Sequence, residues 1–374
     1  MQHYICIKYY NYVFILFSSN NENKPTMEKA ELHLLDFGTR LRIAGGIFKI
    51  TVPDRTGGGA DKELEIAPHN VATILMHEHA SVSTDAILVA IQNDIDVLIC
   101  NGLGHPLGRF MPLQPHAPIR IQKAQLAVSN LPISLDFARQ WLIEKSNHQI
   151  LLLQHIALYR QQPFKDWVEK IVTRLTPFKN EFLRVDLSNN KKAAQILRGI
   201  EGNFSRIYFE TLSEMMPEGY AFSSRSRQPA QDIFNATLNY AYGILYRRVE
   251  KELTLAGLNP YIGFMHRDDY KRQSLVFDFI EPFRVAADWV ALKLCRQKLI
   301  GQKHFDELNP DSCQLNKDGK KLIALAFNEV WNEKMAFIGK TELSLKQHLQ
   351  QKTRQLSNQL LPYLPLNNAE GLAA

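Results

Sequence analysis

The sequence predicts an α+β protein, with a small β-rich N-terminal domain followed by a larger all-helical domain. Three observations carry this expectation. β-Branched, alternating runs and Gly-rich turns crowd the chain up to about Pro112. From Ile119 onward, apolar residues recur at helical spacing over many turns. The 374 residues suffice for two domains, each with its own core.

Residues 1–26 stand apart from the pattern. "YICIKYYNYVFILF" is apolar and aromatic, but Lys8 interrupts it. Its longest apolar run, "VFILF", is far short of the about 20 residues a membrane span needs. It lacks the basic start and small-residue cleavage site of a signal peptide. This stretch reads as an upstream start or a dispensable extension, with a small accessory strand as the second reading. The β domain is expected over residues 27–112. There "LRIAGGIFKITV" has the alternation of a hairpin, and "DRTGGGADK" is a flexible loop with glycines at 57–59. "TDAILVAIQND" is helix-like and leads into "DVLICN", a short buried strand. "NGLGHPLGRF", dense in Gly and Pro, reads as a turn. The prolines of "MPLQPHAPI" mark the boundary, and residues 113–122 are read as a linker.

The helical domain is expected over residues 123–350, with 351–374 as a tail. Its helices are "FARQWLIEKSNHQILLLQHIALYR", "AQILRGIEGNFSRIYFETLSEMM", "DIFNATLNYAYGILYRRVEKELTLAG" and "PFRVAADWVALKLCRQKLI". Composition is ordinary for a soluble protein, 45% hydrophobic and 22% charged. Lys plus Arg outnumber Asp plus Glu by 44 to 38, an excess that permits a polyanionic partner without requiring one. Four scattered cysteines (Cys6, Cys100, Cys295, Cys313), with no Cys-x-x-Cys pair, argue against a disulfide framework or a structural zinc site. A reducing, cytoplasmic setting is the default.

One stretch breaks the apolar patterning. In "LRGIEGNFSRIYFE", Leu197, Ile200, Phe204, Ile207 and Tyr208 form one helical stripe, and Glu201 sits inside it. A carboxylate on an apolar face must be paired, protonated or bound to a cation. A salt bridge to an arginine of a neighbouring helix is the plainest of these. His266 ends the apolar run of "GFMH". Asp278 and Glu281 lie three apart among Phe277, Phe279, Ile280 and Phe283. Pro282 suits a first helical position, so Glu281 reads as a helix cap with Asp278 in the approach, or both are held by Arg284. Four such groups in apolar sequence also suit one shared cation. Carboxylate oxygens plus one imidazole match Mn²⁺ and tolerate Mg²⁺.

Four motifs in order, "LRGIEGNFSRIYF", "RSRQPAQDIFNATLNYAYGILY", "GFMH" and "SLVFDFIEPFR", resemble those of CRISPR-associated protein one, the integrase-endonuclease that inserts spacers into a CRISPR array. The resemblance runs from about Met27 to the region of Gln302 and includes "NGLGHPLGRF". It implies that Glu201, His266 and Glu281 bind a divalent metal, Mg²⁺ or Mn²⁺, with Asp278 in support or as an alternate ligand. It also implies transesterification, in which a DNA 3′-hydroxyl attacks a phosphodiester of the repeat. Its expected partners are DNA, a second copy in a homodimer, and a dimer of CRISPR-associated protein two bridging two such homodimers. No nucleotide-binding "GxxxxGK[ST]" loop occurs, and transesterification needs none.

Arg225, Arg227 and Arg284, with Arg247 and Arg248, are candidates to hold the DNA backbone, a contact that positions a duplex without reading it. Asn235, Asn239 and Tyr240 suit packing and supporting hydrogen bonds. His77 and His79 fall on one side of a strand without a third ligand nearby. Arg267–Asp269 reads as a polar turn. Two other functions compete: a general metal-dependent nuclease or branched-DNA resolvase, and a non-enzymatic DNA-binding protein whose carboxylates serve only in salt bridges.

Overall fold

The computed structural model describes residues 13–16, 30–34, 37–54, 60–100, 106–110, 116–158, 160–227, 229–266, 273–308, 312–335, 338 and 343–364. Two compact units divide the chain, Met1–His116 and Ala117–Ala374.

The first unit carries strands β1 (Val13–Leu16), β2 (Ala30–Leu34), β3 (Arg40–Ala44), β4 (Ile47–Val52), β5 (Lys62–Ile66), β6 (Val71–His77) and β7 (Ser81–Val82). Helix α1 (Thr84–Gln92), β8 (Asp96–Cys100) and β9 (Pro106–Phe110) follow. One sheet has the order β1-β2-β6-β8-β9 and the other β5-β4-β3-β7. The β3–β4 hairpin forms because Gly45 and Gly46 both take positive φ, 60° and 76°, as a two-residue turn matched to strand twist requires. Its alternation places Leu41, Phe48, Ile50 and Val52 in the core with Leu32, Leu34, Ile74 and Val97 of the other sheet and Ala86 and Ala90 of α1. Ser83 caps α1, its Oγ accepting from Ala86 N.

Two readings change in this unit. Val13–Leu16 pairs antiparallel with β2 at the edge of the larger sheet, which is the geometry of an accessory strand. Pro106–Phe110, within the stretch read as a turn, is a strand pairing antiparallel with β8; Pro106 opens an edge strand, where a missing N–H is tolerated. Asn101–His105 and the glycines at 57–59 lie outside the described residues.

The second unit holds α2 (His116–Ser129), α3 (Pro132–Leu158), α4 (Phe164–Leu175), α5 (Phe178–Leu183), α6 (Asn190–Glu214), α7 (Ile233–Leu255), α8 (Ser274–Phe279) and α9 (Arg284–Arg296). The hairpin β10 (Phe305–Leu308) and β11 (Cys313–Leu315), then α10 (Lys317–Asn332) and α11 (Leu345–Leu360), complete it. Helix α9 is central: Val285, Ala286, Ala287, Val290, Ala291, Leu292 and Leu294 are all buried. Side-chain caps begin the long helices, Asn189 on α6, Asp232 on α7, Asn316 on α10 and Ser344 on α11.

This unit is mostly helical, as expected, with one short antiparallel pair of strands, Phe305–Leu308 and Cys313–Leu315. Residues 116–122, read as linker, are the opening turns of α2. Residues 351–360, read as tail, complete α11, whose Leu345, Leu349, Leu356 and Leu360 are buried at helical spacing. Among the described residues, no helix is long and apolar enough to cross a membrane.

Candidate active site

The site grows from a polar break in each of two apolar helix faces. On α6, Leu197, Phe204, Ile207 and Tyr208 are buried and Glu201 lies half-buried among them. On α3, Trp141, Leu142, Gln149, Leu152 and Leu153 are buried, and Lys145 shares their face. The two breaks meet. Lys145 Nζ bonds Glu201 Oε1 and lies 2.9 Å from Glu281 Oε2. Glu281 comes from the 3-10 turn Glu281–Phe283 between α8 and α9. His148 Nδ1 bonds Pro282 O at 2.7 Å, tying this turn to α3. Glu281 is therefore not a helix cap, and Asp278 lies inside α8 rather than before a helix.

Each carboxylate has further partners. Ser205 Oγ donates to Glu201 Oε1 at 2.7 Å. Arg284 Nε donates to Glu281 Oε1 at 2.8 Å, while its guanidinium lies over the rings of Tyr242 and Tyr246. Burial alone would raise both carboxyl pKa values. Lys145 overrides it for Glu201, holding that carboxyl at about 2. Arg284 and then Lys145 hold Glu281 below its usual range. The lysine responds in kind, since the two glutamates keep it above its ordinary value despite burial. Two anions and two cations thus share one buried region. Glu281 Oε2, though close to Lys145, is buried outside hydrogen-bond geometry.

His266 is positioned by a different carboxylate. Asp278 is fully buried and takes the backbone N–H groups of Phe264 (2.7 Å), Met265 (2.9 Å) and His266 (3.1 Å), together with His266 Nδ1. With every close partner in the "GFMH" segment, Asp278 shapes that loop and turns the imidazole so that Nε2 points away from it. A carboxylate behind an imidazole is the usual way a ligating histidine is oriented. Gly263 permits the loop: a Cβ there would meet Ser274 Cβ at 2.5 Å. Trp141 stacks on Phe264 and meets Phe279 edge-on, which fixes the loop and α8 to α3. His266, Gln195, Arg198 and Lys191 line one cleft of about 570 Å³, and Glu201 follows Arg198 by one turn of α6.

The structure therefore brings Glu201 and Glu281 onto one ammonium and sets His266 on the cleft wall beside the same helix. Among the described residues, no group of three or more His, Cys, Asp and Glu is arranged to hold a metal ion; this includes the pair His77 and His79. The donor set nonetheless fits a hard divalent cation: two carboxylates kept ionised, with one buried oxygen of Glu281 outside any hydrogen bond.

The expected phosphate-binding arginines divide. Arg225 turns inward, donating to Asn235 Oδ1 (2.7 Å) and Asn239 Oδ1 (2.5 Å) and lying over Phe209 and Tyr242. Arg284 is committed to Glu281. Neither presents a free guanidinium to a duplex, because each neutralises or braces buried polar groups instead. Arg227 is exposed. Arg248 lies over Phe327 and Trp331. Arg267–Asp269 falls outside the described residues. Asn235 and Asn239 brace the "SRSR" loop as supporting residues, and Tyr208 donates to Asp288 at 3.0 Å. Sequence reasoning missed Lys145, although its signal was visible: a lysine inside the apolar face of "FARQWLIEKSNHQILLL" mirrors the glutamate inside that of α6.

Residues 32–329 match the family model described as CRISPR associated protein Cas1. A CRISPR-associated endonuclease Cas1 of Archaeoglobus fulgidus is 30% identical over 315 residues, 81% of this chain and 89% of the relative. Among solved structures, a casposase bound to integration product superposes with a TM-score of 0.65 at 22% identity, covering 90% of this chain and 96% of that one. A chain of a partial Cas6-RT-Cas1–Cas2 complex gives 0.68 at 20% identity, covering 90% and 98%. A matched model spanning most of the sequence, over a fold of this arrangement, settles the assignment: this chain belongs to the Cas1 family of CRISPR-associated proteins.

Proposed function

We propose that this chain is a divalent-metal-dependent DNA integrase and endonuclease of CRISPR adaptation. It joins the 3′-hydroxyl ends of short DNA duplexes into the CRISPR repeat, one phosphodiester replacing another. The observation that carries this reading is the meeting of Glu201 and Glu281 at one buried cationic point in a Cas1-family chain. Glu201, Glu281 and His266 would hold Mg²⁺ or Mn²⁺, which would supply Lewis-acid polarisation of a phosphodiester and acidify the attacking hydroxyl. Asp278 orients His266 and is not itself a ligand. Arg284 keeps Glu281 ionised and ready to coordinate. With water in place of the 3′-hydroxyl, the same site hydrolyses DNA.

The partners follow from the same reading: double-stranded spacer precursors, the repeat, a second copy of this chain, and a Cas2 dimer between two such homodimers. Arg227 and the basic residues of the His266 cleft, Lys191 and Arg198, contribute phosphate contacts. A strand-transfer assay with Glu201→Ala tests the function. Loss of joining and cutting with DNA binding retained supports it; unchanged activity removes Glu201 from the chemistry. The ion pairs with Lys145 and Arg284 favour one competitor, a DNA-binding protein whose carboxylates serve only in salt bridges. Absence of both joining and cutting in the unsubstituted protein with Mn²⁺ would select it.

A further inference from the structure

We infer that Lys145 is a resident counter-cation, which occupies the carboxylate oxygens of Glu201 and Glu281 in the metal-free protein and is exchanged for the divalent ion on loading. This rests on the metal-binding reading above and concerns a residue outside the expected ligand set. The first ground is placement. Lys145 Nζ touches Glu201 Oε1 and lies 2.9 Å from Glu281 Oε2, so its ammonium stands between the two carboxylates. A divalent ion bridging Glu201 Oε1 and Glu281 Oε2 would need the position that the ammonium now fills between them.

The second ground is burial. The side chains of Lys145 and Glu281 are only 6% and 7% exposed, and like charges brought together out of water repel strongly. Without a cation between them, Glu201 and Glu281 would share this region with Arg284 alone, which bonds Glu281 from the opposite oxygen. Lys145 brings the local charge to zero: two carboxylates, one ammonium, one guanidinium. A divalent ion added to this set brings the local charge to about +2, and withdrawal of the ammonium halves that excess. The third ground is geometry. Glu281 Oε2 is in ion-pair contact with Nζ but outside hydrogen-bond alignment, a contact made by charge more than by a fixed bond. The lysine stem has four rotatable carbons and no planar fork, so its head can leave without moving α3.

The inference predicts opposite signs for metal affinity and metal-free stability. Lys145→Met keeps the stem and removes the charge. Titration of the full chain with MnCl₂ by calorimetry should show binding at least about tenfold tighter than in the unsubstituted protein. The metal-free variant should melt at lower temperature, and Mn²⁺ should raise its Tm by more than it raises that of the unsubstituted chain. Lys145→Arg, which keeps a cation, should bind Mn²⁺ no more tightly than the original. Lys145→Gln replaces the Met variant if that does not fold without metal. Mn²⁺ binding that needs Glu201, yet is unchanged or weakened by removal of the lysine charge, overturns the inference and leaves the metal site standing. Absence of Mn²⁺ binding in every form, with Glu201→Gln indistinguishable, overturns the metal reading itself.

Discussion

Among the buried carboxylates of the helical unit, the Glu201–Glu281 pair and Asp288 are neutralised in opposite ways. Glu201 and Glu281 are balanced by full charges, Lys145 and Arg284. Asp288, on α9 one turn beyond Arg284, is surrounded by neutral donors: Tyr242 OH at 2.6 Å, Tyr208 OH at 3.0 Å and Gln149 Nε2 at 3.1 Å. Burial raises the Asp288 carboxyl above its ordinary value, only partly countered by those donors, whereas Glu201 is held at about 2. Neutral donors saturate a carboxylate and leave it nothing to exchange, which suits a strut joining α3, α6, α7 and α9. Full positive charges keep a carboxylate ionised, which suits a ligand. The kind of partner, more than the depth of burial, separates the proposed ligands Glu201 and Glu281 from Asp288.

The largest expected effect breaks the comparison at its working end. Glu281→Ala should lower strand transfer by at least about a thousandfold, with the folded protein still binding duplex DNA in a gel-shift assay. Asp288→Ala should do the reverse, lowering unfolding free energy in urea by about 3 kcal/mol by leaving Tyr208, Tyr242 and Gln149 without their acceptor. The remaining folded fraction should keep its affinity for Mn²⁺. A loss of metal affinity larger than the loss of stability would merge the two clusters into one. Smaller again, Asp278→Asn should weaken Mn²⁺ binding by about 10- to 100-fold, as second-sphere changes do, because the imidazole loses its orienting carboxylate.

Acidity sharpens the contrast, since the two clusters titrate with opposite signs. Glu201 has a folded pKa depressed from 4.5 to about 2, so its stabilisation is present above pH 4.5 and is lost as pH falls toward 2. Asp288 has a folded pKa raised from 3.8. Its contribution is complete below 3.8 and is lost as pH rises through the folded value. Melting curves across acid pH should therefore flatten between pH 2 and 4.5 in Glu201→Gln. In Asp288→Asn, the loss of stability with rising pH that begins above 3.8 should disappear. The smallest effect is expected from Ser205→Ala, which removes one 2.7 Å bond to Glu201. It should cost about 1 kcal/mol or less, read as a small drop in urea midpoint.

Much of this was legible beforehand, for definite reasons. Helical spacing over many turns marked α3, α6, α7 and α9, because a stripe that long has few alternative explanations. The alternation of "LRIAGGIFKITV" marked the β3–β4 hairpin, and Gly45 and Gly46 supply the positive φ its turn needs. Glu201 drew attention as a charge in an apolar stripe. The same criterion applied to Lys145 would have found its counterpart, but a long aliphatic stem makes a lysine on such a face easy to pass over. Pro106 hid β9, since proline is read as a turn before it is read as the start of an edge strand. The inward direction of Arg225 was beyond the sequence, and that of Arg284 was one of two readings it left open. A guanidinium beside a motif looks the same in one dimension whether it meets a phosphate or a buried carboxylate.

The last helix has a practical consequence for anyone handling this protein. Lys352 of α11 pairs with Glu144 of α3, Ser357 Oγ donates to Ala256 O just past α7 at 2.9 Å, and Leu345, Leu349, Leu356 and Leu360 are buried. Glu144 immediately precedes Lys145, so consecutive residues of α3 face α11 on one side and the two glutamates on the other. A shortened expression clone that stops before Leu345 would strip the brace from the helix holding the site's ammonium.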